Sequence, residues 1–305
     1  MKDLELDQNY KMINGFYQYV TNYCIKKNIK FFYKFFFNFF KFFINKKIIL
    51  DFGFCKFFAY PKKKDLSRWM IRNLQIWDKE IIEIISSMIG KKKTTFLDIG
   101  CNYGAYSIPI AKNNNNIDVY CFDPSENTLK KLEENIKLNN IQNITYFDIG
   151  IGETEKYVFF DDNIENFKNS GSYQVNNSNI RKKIKINSID NLINQNFIKP
   201  NKDIVVKMDI EGYAFYALQG LQETINKFEV IFFFEFSKKI IENHNNLEKD
   251  LLKFIKSNDL KIYDKNFNKK NLHQLFIDIE KLTNEHEVLD NFILTKKTIN
   301  KIANF

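Results

Sequence analysis

Residues 94–107 read TTFLDIGCNYGAYS, and how that stretch is read decides the fold. Thr94–Ile99 is a short apolar run of the kind that forms a buried strand. Gly100 and Gly104 then allow a tight turn and close backbone approach, and a helix is expected to run to about Lys112. Free N–H groups at the start of that helix suit an anionic group, here a carboxylate. The spacing is GxxxG rather than GxGxxG, so a dinucleotide pyrophosphate fits less well. Asp98 brings a negative charge to the strand end, which suits an amino group or a cationic sulfonium.

Working outward, short apolar runs alternate with helical stretches, which predicts an α/β domain with a doubly wound, mostly parallel sheet. Asp118–Phe122 reads as the second strand and Ile144–Phe147 as the third, with a helix between them capped by Ser125 or Asn127. Lys156–Phe160 and Lys182–Ile186 read as additional strands around a polar loop at 161–180. Ile204–Met208 is the fourth main strand. One helix is expected over Tyr213–Ile225, then a strand buried on both faces at Val230–Phe234. Leu247–Ser257 reads as a helix, with final strands at Lys261–Tyr263 and Phe292–Thr295.

Ligands in such sheets bind at the carboxyl ends of the strands, and three consecutive ends carry an acid. Asp98 is the first. Asp123, in Phe122-Asp123-Pro124, follows Gly100 by 23 residues and is placed to accept both hydroxyls of a ribose. Asp148 can accept from an exocyclic amine, with Ile149 as an apolar face for a base. A dinucleotide reading stays open to this point. At the fourth strand end, Lys207, Asp209 and Glu211 alternate onto one side of an extended chain. Three charges there call for a polar pocket, where a carboxylate can take a proton from an attacking hydroxyl. The bland alternative is an ion pair from Lys207 to Asp209 or Glu211. Glu235 should approach the same rim.

The chain has 305 residues, a formal charge of +9 and 32 Phe. Cys24–Lys64 holds 11 Lys, one acid (Asp51) and 13 of the Phe, so the remainder is net −1. Nucleic-acid binding by the body therefore loses its electrostatic support. Within the segment, Phe31–Ile44 reads FFYKFFFNFFKFFI, and Lys27, Lys30, Lys34, Asn38, Lys41 and Asn45 form one polar stripe on a helix. Its longest apolar run is three residues, far below the roughly 20 needed to span a bilayer. Two readings follow: a helix lying on an anionic cytoplasmic leaflet, or a helix packed on the domain or on a second copy of the chain. Four cysteines without paired spacing point to a reducing, cytoplasmic setting, and the first reading of the basic segment adds peripheral attachment at the inner face of the membrane. Three scattered histidines offer no His-based metal site. The expected organisation is a basic, Phe-rich helical segment at 1–64, a helical lead-in covering the sheet at 65–93, and the α/β domain at 94–305.

Taken together, DIGCNYGAYS (Asp98–Ser107), FDP (Phe122–Pro124), LEENIKLNN (Leu132–Asn140) and KMDIEGYAFYALQG (Lys207–Gly220) resemble the FkbM-type family of S-adenosylmethionine-dependent methyltransferases. Ser170-Gly171-Ser172 and Ser188-Ile189-Asp190 look like further landmarks of it. The resemblance covers about residues 94–240. It implies a class I, Rossmann-like methyltransferase fold, with seven strands and a reversed last strand. It also implies S-adenosylmethionine as cofactor and a hydroxyl acceptor, often on a sugar. By that resemblance Asp98, Gly100, Asn102 and Gly104 look like the methionine-side loop. Asp123 with Pro124 looks like the ribose site, and Asp148 with Ile149 the adenine contact. Lys207, Asp209 and Glu211 look like the substrate-side motif. The chain departs from the pattern at Cys101 for Ala, Asp123 for Glu, and Ala214 for a second Glu. Two other function classes compete with this one. A nucleic-acid methyltransferase predicts a basic body and a [DN]PP[YF]-type motif. A non-catalytic membrane-docking adaptor predicts eroded cofactor motifs.

Overall fold

The computed structural model describes residues 2–40, 43–44, 46–63, 65–160, 182–210, 213–237, 246–282 and 288–299. The expected loop at 161–180, the Ser170–Ser172 landmark and Glu211 lie outside them.

The N-terminal segment is not helical throughout. It forms α1 (Lys2–Lys27), α2 (Phe31–Phe40) and a hairpin of β1 (Ile48–Asp51) and β2 (Lys56–Ala59). A left-handed Asn28 ends α1 and lets the chain turn into α2. Pattern explains the hairpin: Ile48 and Leu50 on β1, and Phe57 and Ala59 on β2, are buried in alternation. Its turn carries Gly53 at φ +90°, and the Asp51 carboxylate accepts from the Gly53 N–H at 2.9 Å. The segment packs on the domain, since Tyr17, Tyr33, Phe37 and Phe57 share one core with Ile81 and Ile85.

The lead-in is α3 (Leu66–Asn73), capped by the Asp65 side chain, and α4 (Lys79–Ile89). Then come β3 (Thr94–Ile99), α5 (Ser107–Asn113), β4 (Ile117–Phe122), α6 (Glu126–Asn139) and β5 (Ile144–Phe147). Ser125 caps α6 through the Thr128 N–H. Next are β6 (Gly150–Ile151), β7 (Lys156–Phe160), β8 (Lys182–Asn187), α7 (Ile189–Asn194) and β9 (Asp203–Met208). The chain continues with α8 (Ala214–Gln219), α9 (Gln222–Lys227) and β10 (Glu229–Ser237). It finishes with α10 (Leu247–Ser257), β11 (Lys261–Asp264), α11 (Leu272–Glu280) and β12 (Val288–Thr295). The helix expected over Tyr213–Ile225 is in fact two. A Cβ on Gly220 would lie 2.1 Å from the Gly152 carbonyl, so the chain turns there in close contact. Asp190 then caps α9, accepting from the Glu223 and Thr224 N–H groups at 2.8 Å each.

The main sheet has seven strands in the order β11-β12-β10-β9-β3-β4-β5. β12 runs antiparallel to both β10 and β11, while β10, β9, β3, β4 and β5 pair in parallel. This is the doubly wound sheet with a reversed last strand expected of a class I methyltransferase fold. Strand alternation divides the core into two faces. Phe96, Val205 and Phe233 pack with α4, α5, α6 and the N-terminal segment. Leu97, Val206 and Phe232 pack with α8, α10 and α11. β6, β8 and β7 form a separate small sheet.

Amide side chains cover the outer edges of the hairpin. On β1, the Ile49 N–H donates to Gln18 Oε1, and Asn22 bridges the Ile49 carbonyl and the Asp51 N–H, all at 3.0 Å. On β2, Asn139 of α6 accepts from the Lys56 N–H at 2.8 Å and donates to its carbonyl at 2.7 Å. Asn135 accepts from the Phe58 N–H at 2.8 Å and donates to the Tyr103 carbonyl at 3.0 Å.

Candidate functional site

β3 places Asp98 one residue before its end, directly beside Lys207 of β9 and Cys121 of β4. Period-two alternation puts Asp98 and Lys207 on the same face as Phe96 and Val205, under α5. Asp98 is fully buried. One carboxylate oxygen accepts from Ser107 Oγ, which in turn accepts from Cys121 Sγ at 3.0 Å. Its other oxygen, Oδ1, has no hydrogen-bond partner among the described residues. Burial is the main cause that pushes the Asp98 carboxyl up to about 7, against the opposing pull of Ser107 and Lys207.

The loop after β3 is held by its neighbours. Gly100 and Cys101 both donate to the Phe122 carbonyl, at 2.9 and 3.1 Å. Gly100 has φ +83°, and a Cβ there would lie 2.3 Å from the Asp209 carbonyl oxygen. Asn102 is left-handed at φ +49°, a conformation Asn tolerates, and its N–H donates to Asp123 Oδ2 at 3.2 Å. Asp123 Oδ1 accepts from the Ser125 N–H at 2.9 Å, across buried Pro124. Asp123 thus ties the two loops together at the ends of β3 and β4. An ionised carboxylate offers about four acceptor positions, so this role is compatible with a ribose diol. Gly104, also at φ +83°, is packed under Leu132 and Ile108.

Lys207 is fully buried, yet pairs with no carboxylate among the described residues. Its ammonium donates to the Met208 carbonyl at 3.3 Å and lies 4.8 Å from the centre of the Tyr106 ring. A cation over a ring face recovers part of the cost of burial. The alternative of an ion pair from Lys207 to Asp209 is therefore not what holds it, and the expectation that Lys207 faces a polar pocket is corrected by its full burial. Asp209 is half-buried just beyond β9, where its N–H donates to the Ile99 carbonyl at 2.9 Å. Lys207 and Asp209 do not simply alternate along one strand, because β9 ends between them at Met208.

Two members of this cluster were missed in the sequence. The Tyr106 hydroxyl donates to Asp78 Oδ2 at 2.7 Å, and Asp78 sits left-handed at φ +46° immediately before α4. Burial raises the Asp78 carboxyl, and Tyr106 and Lys207 hold it down. Burial, then Asp209 and Asp78, push the Tyr106 hydroxyl well above its ordinary range. Asn291 of β12 also reaches Asp78 Oδ2, at 3.4 Å, and its register partner is Glu235 of β10. Glu235 thereby reaches the expected rim. Tyr106 was visible as part of GAYS, but Asp78 comes from the lead-in and had no motif to announce it.

Asp148 stands at the end of β5, as expected, but is exposed and 4.0 Å from Lys182 Nζ. Ile149 is half-buried against the second core. The structure thus brings together Asp98, Gly100, Asn102, Gly104, Asp123, Pro124, Lys207 and Asp209. It places Asp148 and Ile149 at the next strand end, and Glu211 lies outside the described residues. An unpartnered buried carboxylate oxygen, a glycine held against backbone and an acid at the second strand end fit a ligand carrying a cation and a ribose.

Comparison with known proteins gives a family match. The model of the methyltransferase FkbM domain matches residues 98–262. No curated protein matches. Among solved structures, M. jannaschii TYW2 in complex with AdoMet is 15% identical, over 82% of this chain and 84% of that one, with a TM-score of 0.38. Precorrin-6y C5,15-methyltransferase from Geobacter metallireducens GS-15 is 9% identical over 72% and 91%, also at 0.38. An rRNA methylase from Streptococcus thermophilus is 10% identical over 70% and 91%, at 0.36.

Proposed function

The chain belongs to the FkbM methyltransferase family, whose model takes in more than half of its length, and from that premise we propose that it O-methylates a hydroxyl of a sugar, in a glycan or a lipid-linked glycan precursor. S-adenosylmethionine is the family's methyl donor, and when bound it supplies a methyl group on a positively charged sulfur, open to direct displacement. One observation supports a shared site for donor and acceptor: the Asp209 carbonyl lies against the place where a Gly100 Cβ would stand. The glycine cradle and the Lys207–Asp209 strand end are thus in contact.

In that arrangement Asp98, whose Oδ1 is buried and unpartnered among the described residues, would hold the donor's amino group, and Asp123 the ribose. Asp148 and Ile149 would border the base. Displacement depends on alignment, so holding these loops rigid is most of the work. An alcohol also gains from a base, and Asp209 or Glu211 is placed in sequence to take its proton. Lys207, seated under Tyr106, positions this strand end from within the core. The body's charge of −1 supports a neutral acceptor over a nucleic acid.

Transfer of labelled methyl to a panel of sugars and glycolipids, with RNA alongside, tests the substrate class. Methylation of RNA alone would overturn it. Asp209→Asn and Glu211→Gln should each keep cofactor binding, and the one that removes the base should lose about 100-fold or more in turnover. Full turnover in both would remove the carboxylate base. Calorimetry that finds no S-adenosylmethionine binding would favour the adaptor reading.

A further inference from the structure

The Phe-rich helix is amphipathic in a different sense from the one its sequence suggests. Tyr33 and Phe37 fill the core, with the Tyr33 hydroxyl 3.0 Å from Thr21 Oγ1 and 3.3 Å from the Tyr17 hydroxyl. Those contacts fix which side of α2 faces out. The outer side carries Lys34 and Asn38, as expected, but also Phe31, Phe35 and Phe39, which are 85%, 85% and 62% exposed. Phe43 continues the row beyond the helix.

A second row meets the first. On α1, Met12, Phe16, Tyr19 and Tyr23 recur at helical spacing and are all exposed. The Phe16 ring lies 6.1 Å from Phe40, Phe40 lies 5.2 Å from Phe39, and Phe39 lies 5.8 Å from Phe43. The exposed aromatics of the two helices therefore join into one surface. Single exposed apolar residues are ordinary, but a contiguous aromatic face is not.

Charge says what covers it. Lys26 and Lys27 end α1, Lys30 sits in the turn and Lys34 lies on α2, all exposed. No acid occurs between Cys24 and Leu50. Lys26, Lys27 and Lys34 pair with no carboxylate among the described residues. A cationic corner beside an aromatic face matches an anionic surface better than it matches itself. Among the described residues no helix is long and apolar enough to cross a membrane. Aromatic rings flanked by lysines suit the boundary between lipid headgroups and acyl chains.

We infer that this face, formed by Met12, Phe16, Phe35, Phe39 and Phe43 with the lysines at the α1–α2 corner, seats on an anionic lipid surface. The rings enter the acyl boundary and the ammonium groups meet lipid phosphates. The inference stands independently of the methyl acceptor.

Full-length protein is mixed with vesicles of phosphatidylcholine, alone or with phosphatidylglycerol, and sedimented. Binding should require the anionic lipid and weaken with salt. The double variant Phe35→Ser/Phe39→Ser should lower partitioning at least about tenfold. Lys26→Gln/Lys27→Gln/Lys34→Gln should lower it on anionic vesicles and flatten the salt dependence. Both variants should keep the wild-type circular dichroism spectrum and cofactor affinity, because neither touches the core or the site. Equal partitioning of wild type and the Phe variant would overturn the inference. So would binding indifferent to lipid charge, or a dimer disrupted by the Phe variant in protein that ignores vesicles.

Discussion

Gly100→Ala is the sharpest test of the cofactor loop. At φ +83° an alanine costs roughly 1–2 kcal/mol in backbone strain. Its Cβ would start 2.3 Å from the Asp209 carbonyl oxygen and 2.8 Å from Ile210 Cγ2. The first of these is backbone and cannot rotate away, so the β9 end must retreat by about 1 Å to reach ordinary contact. That movement strains the bond from the Asp209 N–H to the Ile99 carbonyl, now 2.9 Å, worth about 1 kcal/mol. The expected loss is about 2–3 kcal/mol, or roughly 3–5 °C in melting temperature for a chain of this size. A 1 Å shift of the loop should also weaken S-adenosylmethionine binding or turnover by about 100-fold. Gly220→Ala is the control. Its Cβ meets the Gly152 carbonyl at 2.1 Å, at an ordinary φ of −75° and away from the loop. It should lose stability while binding cofactor normally. Thermal melts and calorimetric titration read both effects. A Gly100→Ala protein that melts within about 2 °C of wild type and binds cofactor equally would refute the reasoning.

Other outcomes follow from the same geometry. Asp98 has its carboxyl pushed from 3.8 up to about 7, so between those values the folded chain holds a proton that the unfolded chain has released. Its contribution to stability therefore declines as pH rises through that window, and Asp98→Asn should remove the decline in denaturant titrations at stepped pH. If the ionised carboxylate receives the donor's amino group, wild-type cofactor affinity should fall on the order of tenfold per pH unit below 7, and the variant's should not. Tyr106→Phe deletes the 2.7 Å bond that holds the Asp78 carboxyl down, so that carboxyl should rise further. The Asp78 carboxyl, followed by carbon-13 NMR against pH, should titrate at higher pH than in the wild type. Asn139→Ala removes both bonds to the Lys56 backbone and should cost about 1–3 kcal/mol in denaturant unfolding.

Local pattern carried the parallel sheet. Thr94–Ile99, Ile144–Phe147 and Leu247–Ser257 appear with the bounds read from their apolar runs, because each is buried by neighbours that the same pattern predicts. The N-terminal hairpin was not legible, since Ile48–Ala59 sits in a segment whose Lys and Phe spacing also suits a helix. Its strands are fixed by amides on α1 and α6 that lie far away in sequence. The break between α8 and α9 depends on a glycine meeting Gly152, another long-range contact. In the site, the acids at the first two strand ends follow from topology. Asp78 does not, because a lead-in residue reaches the sheet only through the fold. Lys207 read as a charge facing a polar pocket, with an ion pair as the alternative. Register instead sets it beside Asp98 and beneath the Tyr106 ring.

The amides along the hairpin have a consequence for strand addition to so aromatic a segment. A two-stranded sheet has two open edges, and an open edge rich in Phe and Ile is a template for strand addition by another chain. Here Gln18 and Asn22 occupy one edge and Asn135 and Asn139 the other, offering the hydrogen bonds that a third and fourth strand would offer. The side chains imitate backbone and close the ladder. Protection from fibril-like pairing is thereby written into α1 and α6, and it holds only while both helices are docked. A chain cut near residue 64 would leave Asn135 and Asn139 facing solvent, while the released peptide, which keeps Gln18 and Asn22 on the β1 side, would expose its β2 edge.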